Sequence, residues 1–193
     1  MKLHRIALAF LLGLFSALSS AGEAPKSKEK VVMGWLESVF LLPWNLRLTA
    51  KLDTGAKTSA LHANNIQRFN RDGREWVRFT LEGDDDDEKT VVVERPLERT
   101  VYIKERHKGA SKREVVTLTV CKNGREYQTE FTLVDRSNFN YPLLLGRSFL
   151  SGAAVVDAGE TFLFKAEDDP CNKRDKTVAT PSPRPQPVGT EDK

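Results

Sequence analysis

The run "VVTLTVCKNGREYQTEFTLV", residues 115–134, constrains the fold more than any other stretch. Two alternating, β-branched segments flank Asn123-Gly124, a dipeptide suited to a two-residue hairpin turn. Similar signals recur. "EWVRFTLEG" (75–83) alternates Val77, Phe79 and Leu81 against Trp76, Arg78 and Thr80, and it follows the turn Arg71-Asp72-Gly73. "LTAKL" sets Leu48, Ala50 and Leu52 on one side of a strand. "AAVVDAGETFLF" (153–164) reads as two apolar strands joined by a hairpin turn at Asp157, Ala158 and Gly159. Helical periodicity is confined to a short segment after the glycine of "LLLGRSFLSG". Short strands at close spacing predict an all-β domain, a compact barrel or sandwich.

The 193 residues suffice for one such domain with tails. Residues 1–21, "MKLHRIALAFLLGLFSALSSA", read as a signal peptide: a basic start, an apolar run, and a small-x-small end. The competing reading is a membrane anchor, but an apolar core of about 13 residues falls short of the ~20 that span a bilayer. No cysteine follows the run to accept a lipid. The expectation is a periplasmic or secreted protein with no stable membrane insertion after cleavage. Residues 22–30 form a polar lead-in, 31–166 the domain, and 167–193 a tail holding five of the nine prolines, expected to be disordered. Losing Lys2 and Arg5 brings the net charge of +3 down to about +1, without the basic footprint of a nucleic-acid partner. Cys121 and Cys171 are the only cysteines. An oxidising compartment favours pairing them, while their positions in a strand and a polar tail speak against it.

In "AKLDTGAKTSALHA" (50–63) a carboxylate, a hydroxyl and a glycine interrupt an apolar context. The strand before it places Asp53 at a strand end. Thr54 can donate and accept hydrogen bonds, and Gly55 leaves room for a second backbone. About 90 residues on, "YPLLLGRSFL" (141–150) supplies an apolar strand, a glycine and an amphipathic turn.

This pair of motifs, "KLDTGAKTSAL" and "LLLGRSFL" with a hairpin-rich stretch between, resembles the retropepsins, the single-domain aspartic proteases typified by retroviral enzymes. Gly34-Trp35, "DTGAKTSALHA" and "DRSNFNYPLLLGR" resemble more narrowly the bacterial retropepsin-like endopeptidases. These are often labelled ATP-dependent zinc proteases, and some are associated with ATP-grasp peptide ligases. The likeness spans about residues 31–164. It implies a closed β-barrel with one short helix after "LLLGR", and peptide-bond hydrolysis by Asp53, Thr54 and Gly55. One carboxylate per chain is half of what the reaction needs. Two carboxylates about 3 Å apart share one proton. The ionised member draws a proton from the attacking water, and the protonated member hydrogen-bonds the carbonyl oxygen. The resemblance implies that a second copy supplies the second Asp53, that Thr54 braces the two loops across the axis, and that Gly55 lets them approach.

Candidate substrate contacts are Ala56, His62, Gly109 and Ala110; for His62 a structural role is the alternative. Leu145, Gly146 and Arg147 are expected to support the site. A flap is expected within 95–114, tipped by Gly109-Ala110-Ser111, with basic flanks that suit either an acidic peptide or solvent. Asp157 echoes the first motif but reads as the turn residue named above, and Asp135 as a loop residue. The acidic run 84–88 lacks calcium-loop spacing and reads as a solvated loop. No phosphate-binding glycine loop is present, and His62 and His107 stand apart from each other and from the cysteines, so neither a cofactor nor a metal is expected. The alternatives to an exported endopeptidase acting on peptides or proteins are a catalytically silent peptide-binding scaffold of the envelope and a factor cleaving envelope peptide cross-links.

Overall fold

The computed structural model describes residues 29–84, 89–105 and 109–172. The segment expected to be a signal peptide, most of the lead-in, residues 85–88 of the acidic run and residues 173–193 lie outside them.

A long first strand, β1 (Val31–Leu42), turns back into β2 (Leu46–Leu52), where Leu46, Leu48, Ala50 and Leu52 alternate inward. β3 (Ser59–His62) follows the Asp-Thr-Gly loop. β8 (Gly109–Lys122) and β9 (Arg125–Val134) form the hairpin predicted at Asn123-Gly124, and both turn residues have positive φ, 49° and 71°. β10 (Leu143–Leu145) is three leucines long. These six strands close on themselves in the order β1-β2-β10-β3-β9-β8, with β8 returning to β1 at Phe40–Cys121. The architecture is therefore a closed six-stranded barrel, filled by Leu41, Leu48, Leu61, Val116, Phe131, Leu133 and Leu143 among others. Burying each such side chain stabilises the fold by about 1.5–3 kcal/mol.

Two additions decorate the barrel. β4 (Asn64–Arg71), β5 (Arg74–Glu82) and β6 (Thr90–Pro96) form a separate antiparallel sheet whose Val77, Phe79 and Leu81 face the core. β7 (Arg99–Glu105) pairs with the start of β8 as an exposed hairpin. Glu105 pairs with Gly109 and Lys104 with Ala110, so Gly109 and Ala110 open β8 where a flap tip was expected; residues 106–108 lie outside the described ones.

After β10 the single α-helix among the described residues, α1 (Arg147–Ala153), buries Phe149, Leu150 and Ala153. It leads into β11 (Ala154–Thr161), which runs parallel to β1. This corrects the expected hairpin at Asp157-Ala158-Gly159. The strand continues through these residues with a bulge opposite Gly34–Leu36, and the Asp157 carboxylate accepts the Gly159 N–H inside it (2.9 Å). Gly34 makes room for the bulge, since a Cβ there would lie 2.5 Å from the Glu160 carbonyl oxygen.

The ordered chain also extends past the expected boundary at 166. A short 3-10 turn, Ala166–Asp168, is followed by a disulfide between Cys171 and Cys121. Asp169 accepts hydrogen bonds from the backbones of Asn123, Gly124 and Cys171. Buried Lys122 lies between Glu37 (3.0 Å) and Asp169 (3.9 Å) and donates to the Phe164 carbonyl. Composition called 167–172 tail; specific pairing with the β8–β9 turn makes it part of the domain.

Candidate active site

β2 delivers Asp53 to the rim of the barrel, where its N–H donates to the Leu145 carbonyl (2.9 Å), continuing the parallel β2–β10 ladder. The two carboxylate oxygens have different surroundings. Oδ1 accepts the N–H groups of Gly55 (2.9 Å) and Ala56 (3.2 Å), which fold the loop back under the carboxylate. Oδ2 has the Lys51 ammonium at 3.5 Å. Burial pushes the carboxyl up, but the Gly55 and Ala56 N–H groups and Lys51 together outweigh it and hold Asp53 below the ordinary carboxylate range. Its side chain is 25 % exposed, and Thr54 and Gly55 beside it are exposed.

The second motif is knitted to this loop. Arg147 donates from Nη1 to the carbonyls of Thr54 (3.0 Å) and Gly55 (2.8 Å), and its own N–H reaches the Ala56 carbonyl. Ser148 N–H donates to the Lys57 carbonyl. Gly146 touches the Thr58 backbone so closely that a Cβ would sit 2.5 Å from its oxygen. Ser59, fully buried, accepts the Gly146 N–H through its hydroxyl, and Thr132 Oγ1 donates to the Ser59 carbonyl. Thus Asp53, Thr54, Gly55, Ala56, Leu145, Gly146 and Arg147 form one hydrogen-bonded unit. Ala56 serves as backbone of the loop itself.

The remaining candidates lie elsewhere. His62 Nδ1 accepts the Arg136 N–H (2.8 Å), and the His62 N–H donates to the Pro142 carbonyl, so this residue anchors the 135–142 loop. Asp135 accepts the Ser137 N–H, which together with the Ser137 hydroxyl and His62 lowers its pKa. Asp157 sits on β11 with its carboxylate on Gly159. Gly109 and Ala110 are exposed on the β7–β8 hairpin. Asp84 is tied to β2 through hydrogen bonds with Thr49 N–H and the Arg47 carbonyl. Among the described residues no three His, Cys, Asp or Glu side chains gather into a metal-holding group.

Sequence reasoning missed three participants: Lys51, Ser59 and Arg136. Lys51 was within reach, because residues two apart in a strand share a face. Arg136 is largely buried over the Phe139 ring. Burial and then the Arg113 guanidinium push it down, while the Asp53 carboxylate pulls it up, so Arg136 feels both of these charges.

Beside the loop, Thr54, Arg147, Leu150, Ser151, Ala154, Val155 and Val156 line an open depression of about 430 Å³. Val155 and its β1 neighbour Val32 are each 53 % exposed, leaving an apolar surface that adjoins the depression beside Thr54.

A crystal structure of Lpg0085 from Legionella pneumophila, a protein of unknown function, superimposes with a TM-score of 0.61 at 33% identity, covering 70% of this chain and 98% of that one. A protein named probable alpha-L-glutamate ligase from Shewanella pealeana is 32% identical over 123 residues, 63% of this chain and 27% of that protein. One of the same name from Desulfotalea psychrophila is 36% identical over 111 residues, 57% of this chain and 24% of that protein. The chain therefore spans about a quarter of the length of the curated relatives it matches. The family model described as RimB-like, retropepsin-like aspartic endopeptidase RimB, matches residues 32–167, both motifs included. The chain belongs to this retropepsin-like aspartic endopeptidase family.

Proposed function

We propose that this protein is an exported aspartic endopeptidase whose site is completed by the Asp53 of a second copy. The observation that carries the reading is the divided carboxylate. Its Oδ1 is fixed by two backbone N–H groups, while Oδ2 meets the part-exposed Lys51 ammonium (3.5 Å) beside the exposed Thr54 and Gly55. Such a group is oriented but lacks the partner with which to share a proton. The apolar surface of Val32 and Val155, beside the Thr54 depression, suits a second copy placed across a two-fold axis. Water held between the two carboxylates would be deprotonated by the ionised member, while the other polarises the scissile carbonyl.

The substrate is a peptide or protein segment, and an acidic one fits best. Lys112 and Arg113 lie on the β7–β8 hairpin, and Arg136 interacts with both Arg113 and Asp53. The curated relatives are named for glutamate ligation. Export rests on residues 1–21, and mass spectrometry of the mature N-terminus would place the cleavage after Ala21. A silent peptide-holding scaffold is the second reading, favoured by the ionised, lysine-paired state of Asp53 in the lone chain. Digestion of an acidic peptide library separates the two. Cleavage by the wild type that is lost in Asp53→Asn, with the variant still folded by circular dichroism, supports the protease. Equal cleavage by both proteins removes it.

A further inference from the structure

Lys51 is the one charged group in ion-pair contact with Asp53 among the described residues, and its placement is specific. Oδ1 is occupied by the N–H groups of Gly55 and Ala56, so Oδ2 is the oxygen left to meet a second carboxylate. The Lys51 ammonium lies 3.5 Å from that same oxygen. Lys51 lies on β2 and Asp53 directly follows the strand's end, two residues on, its N–H still paired with the Leu145 carbonyl. The lysine side chain is 43 % exposed, so its pairing is a surface contact that a better partner displaces at low cost.

We propose that Lys51 is the counter-ion of the unpaired site. Its ammonium covers Asp53 Oδ2 in the lone chain and leaves it when the second chain's carboxylate arrives, so that pairing two chains and taking up one proton are a single step. The inference rests on the two-chain reading of the active site. Its balance is simple: two ionised carboxylates and one proton from solvent become a hydrogen-bonded pair sharing that proton, and two ammonium groups return to water. Apart from the O–H bond made by that proton, no covalent bond changes.

The other charges around Asp53 do not substitute for Lys51. Arg147, from α1, spends Nη1 on the carbonyls of Thr54 and Gly55. Arg136, from the 135–142 loop, acts on Asp53 only through space, with Arg113 of β8 acting on Arg136. β10 presents leucines. Lys51 is thus a positioning residue that acts through Asp53, and its effect is electrostatic. Because the pair binds more protons than two separate chains, the dimer is favoured as pH falls toward the shared proton's pKa and weakens above it.

Sedimentation of the wild-type chain, Lys51→Met and Lys51→Arg across about pH 4–8 tests this, alongside carbon-13 titration of the Asp53 carboxyl in dilute monomer. In the wild type the dissociation constant should rise roughly tenfold per pH unit above that pKa. Lys51→Met should dimerise several-fold more tightly, and its monomer should titrate Asp53 at higher pH. Lys51→Arg, which keeps the charge, should behave as the wild type does. Dimers that form without dependence on pH or on Lys51 overturn the proposal alone. A chain that stays monomeric at every pH, with no peptide cleavage, overturns the two-chain reading with it.

Discussion

Asp53 carries opposing influences in a single carboxylate. Burial favours its neutral form, while Gly55, Ala56 and Lys51 favour the charged one and prevail. A carboxyl held below its unfolded pKa contributes stability that is present above the unfolded value and lost as pH falls through the folded one. Asp53→Asn should therefore flatten the decline in melting temperature below about pH 4, read by calorimetry of the monomer. Arg147 acts differently, since it holds the loop through two carbonyls rather than through the carboxylate. Arg147→Ala should lower kcat roughly ten- to hundredfold by loosening the loop, with a smaller change in KM. At this scale the triplet Asp53-Thr54-Gly55 and the glycine-arginine pair 146–147 stand out in the sequence because their types are chemically unusual between apolar strands. Ser59 does not, because its hydroxyl matters only through a contact with Gly146, 87 residues away.

The elements explain why the two motifs must come together. β10 slots between β2 and β3, so Leu145 and Leu52 are register partners and the chain after each meets the other. Gly146 is where that meeting is tightest. Gly146→Ala would force a methyl into the Thr58 backbone and should destabilise the fold by about 1–3 kcal/mol, measured by urea unfolding. Alternation and the Asn-Gly turn made β5, β8 and β9 legible, because one face of each is buried and the other is wet. β11 was misread for the opposite reason. Turn-forming Asp157 and Gly159 look the same in a hairpin and in a bulge, and only the parallel pairing with β1 decides between them.

For the molecule as a whole, alternation in sequence predicted an all-β domain but left barrel and sandwich open, and the resemblance to retropepsins chose the barrel. The β8–β1 pairing that closes it joins residues about 80 apart, which no local signal reports. The anchored 166–172 segment escaped for the same reason: its composition is that of a tail, and its partners lie on β8. Reducing Cys121–Cys171, which closes a loop of 50 residues, should cost about 2–4 kcal/mol and lower the melting temperature. Lys122→Met would leave buried Glu37 without its cation and should cost about 3–5 kcal/mol. The central claim concerns two chains acting as one enzyme. The direct measurement is the peptidase rate of a fixed amount of wild-type protein titrated with Asp53→Asn. Subunit exchange should draw wild-type chains into pairs with a single ionisable carboxylate, and the rate should fall toward zero as the variant exceeds the wild type. A rate that holds steady through a large excess would mean that each chain cleaves alone, and the shared site would be wrong.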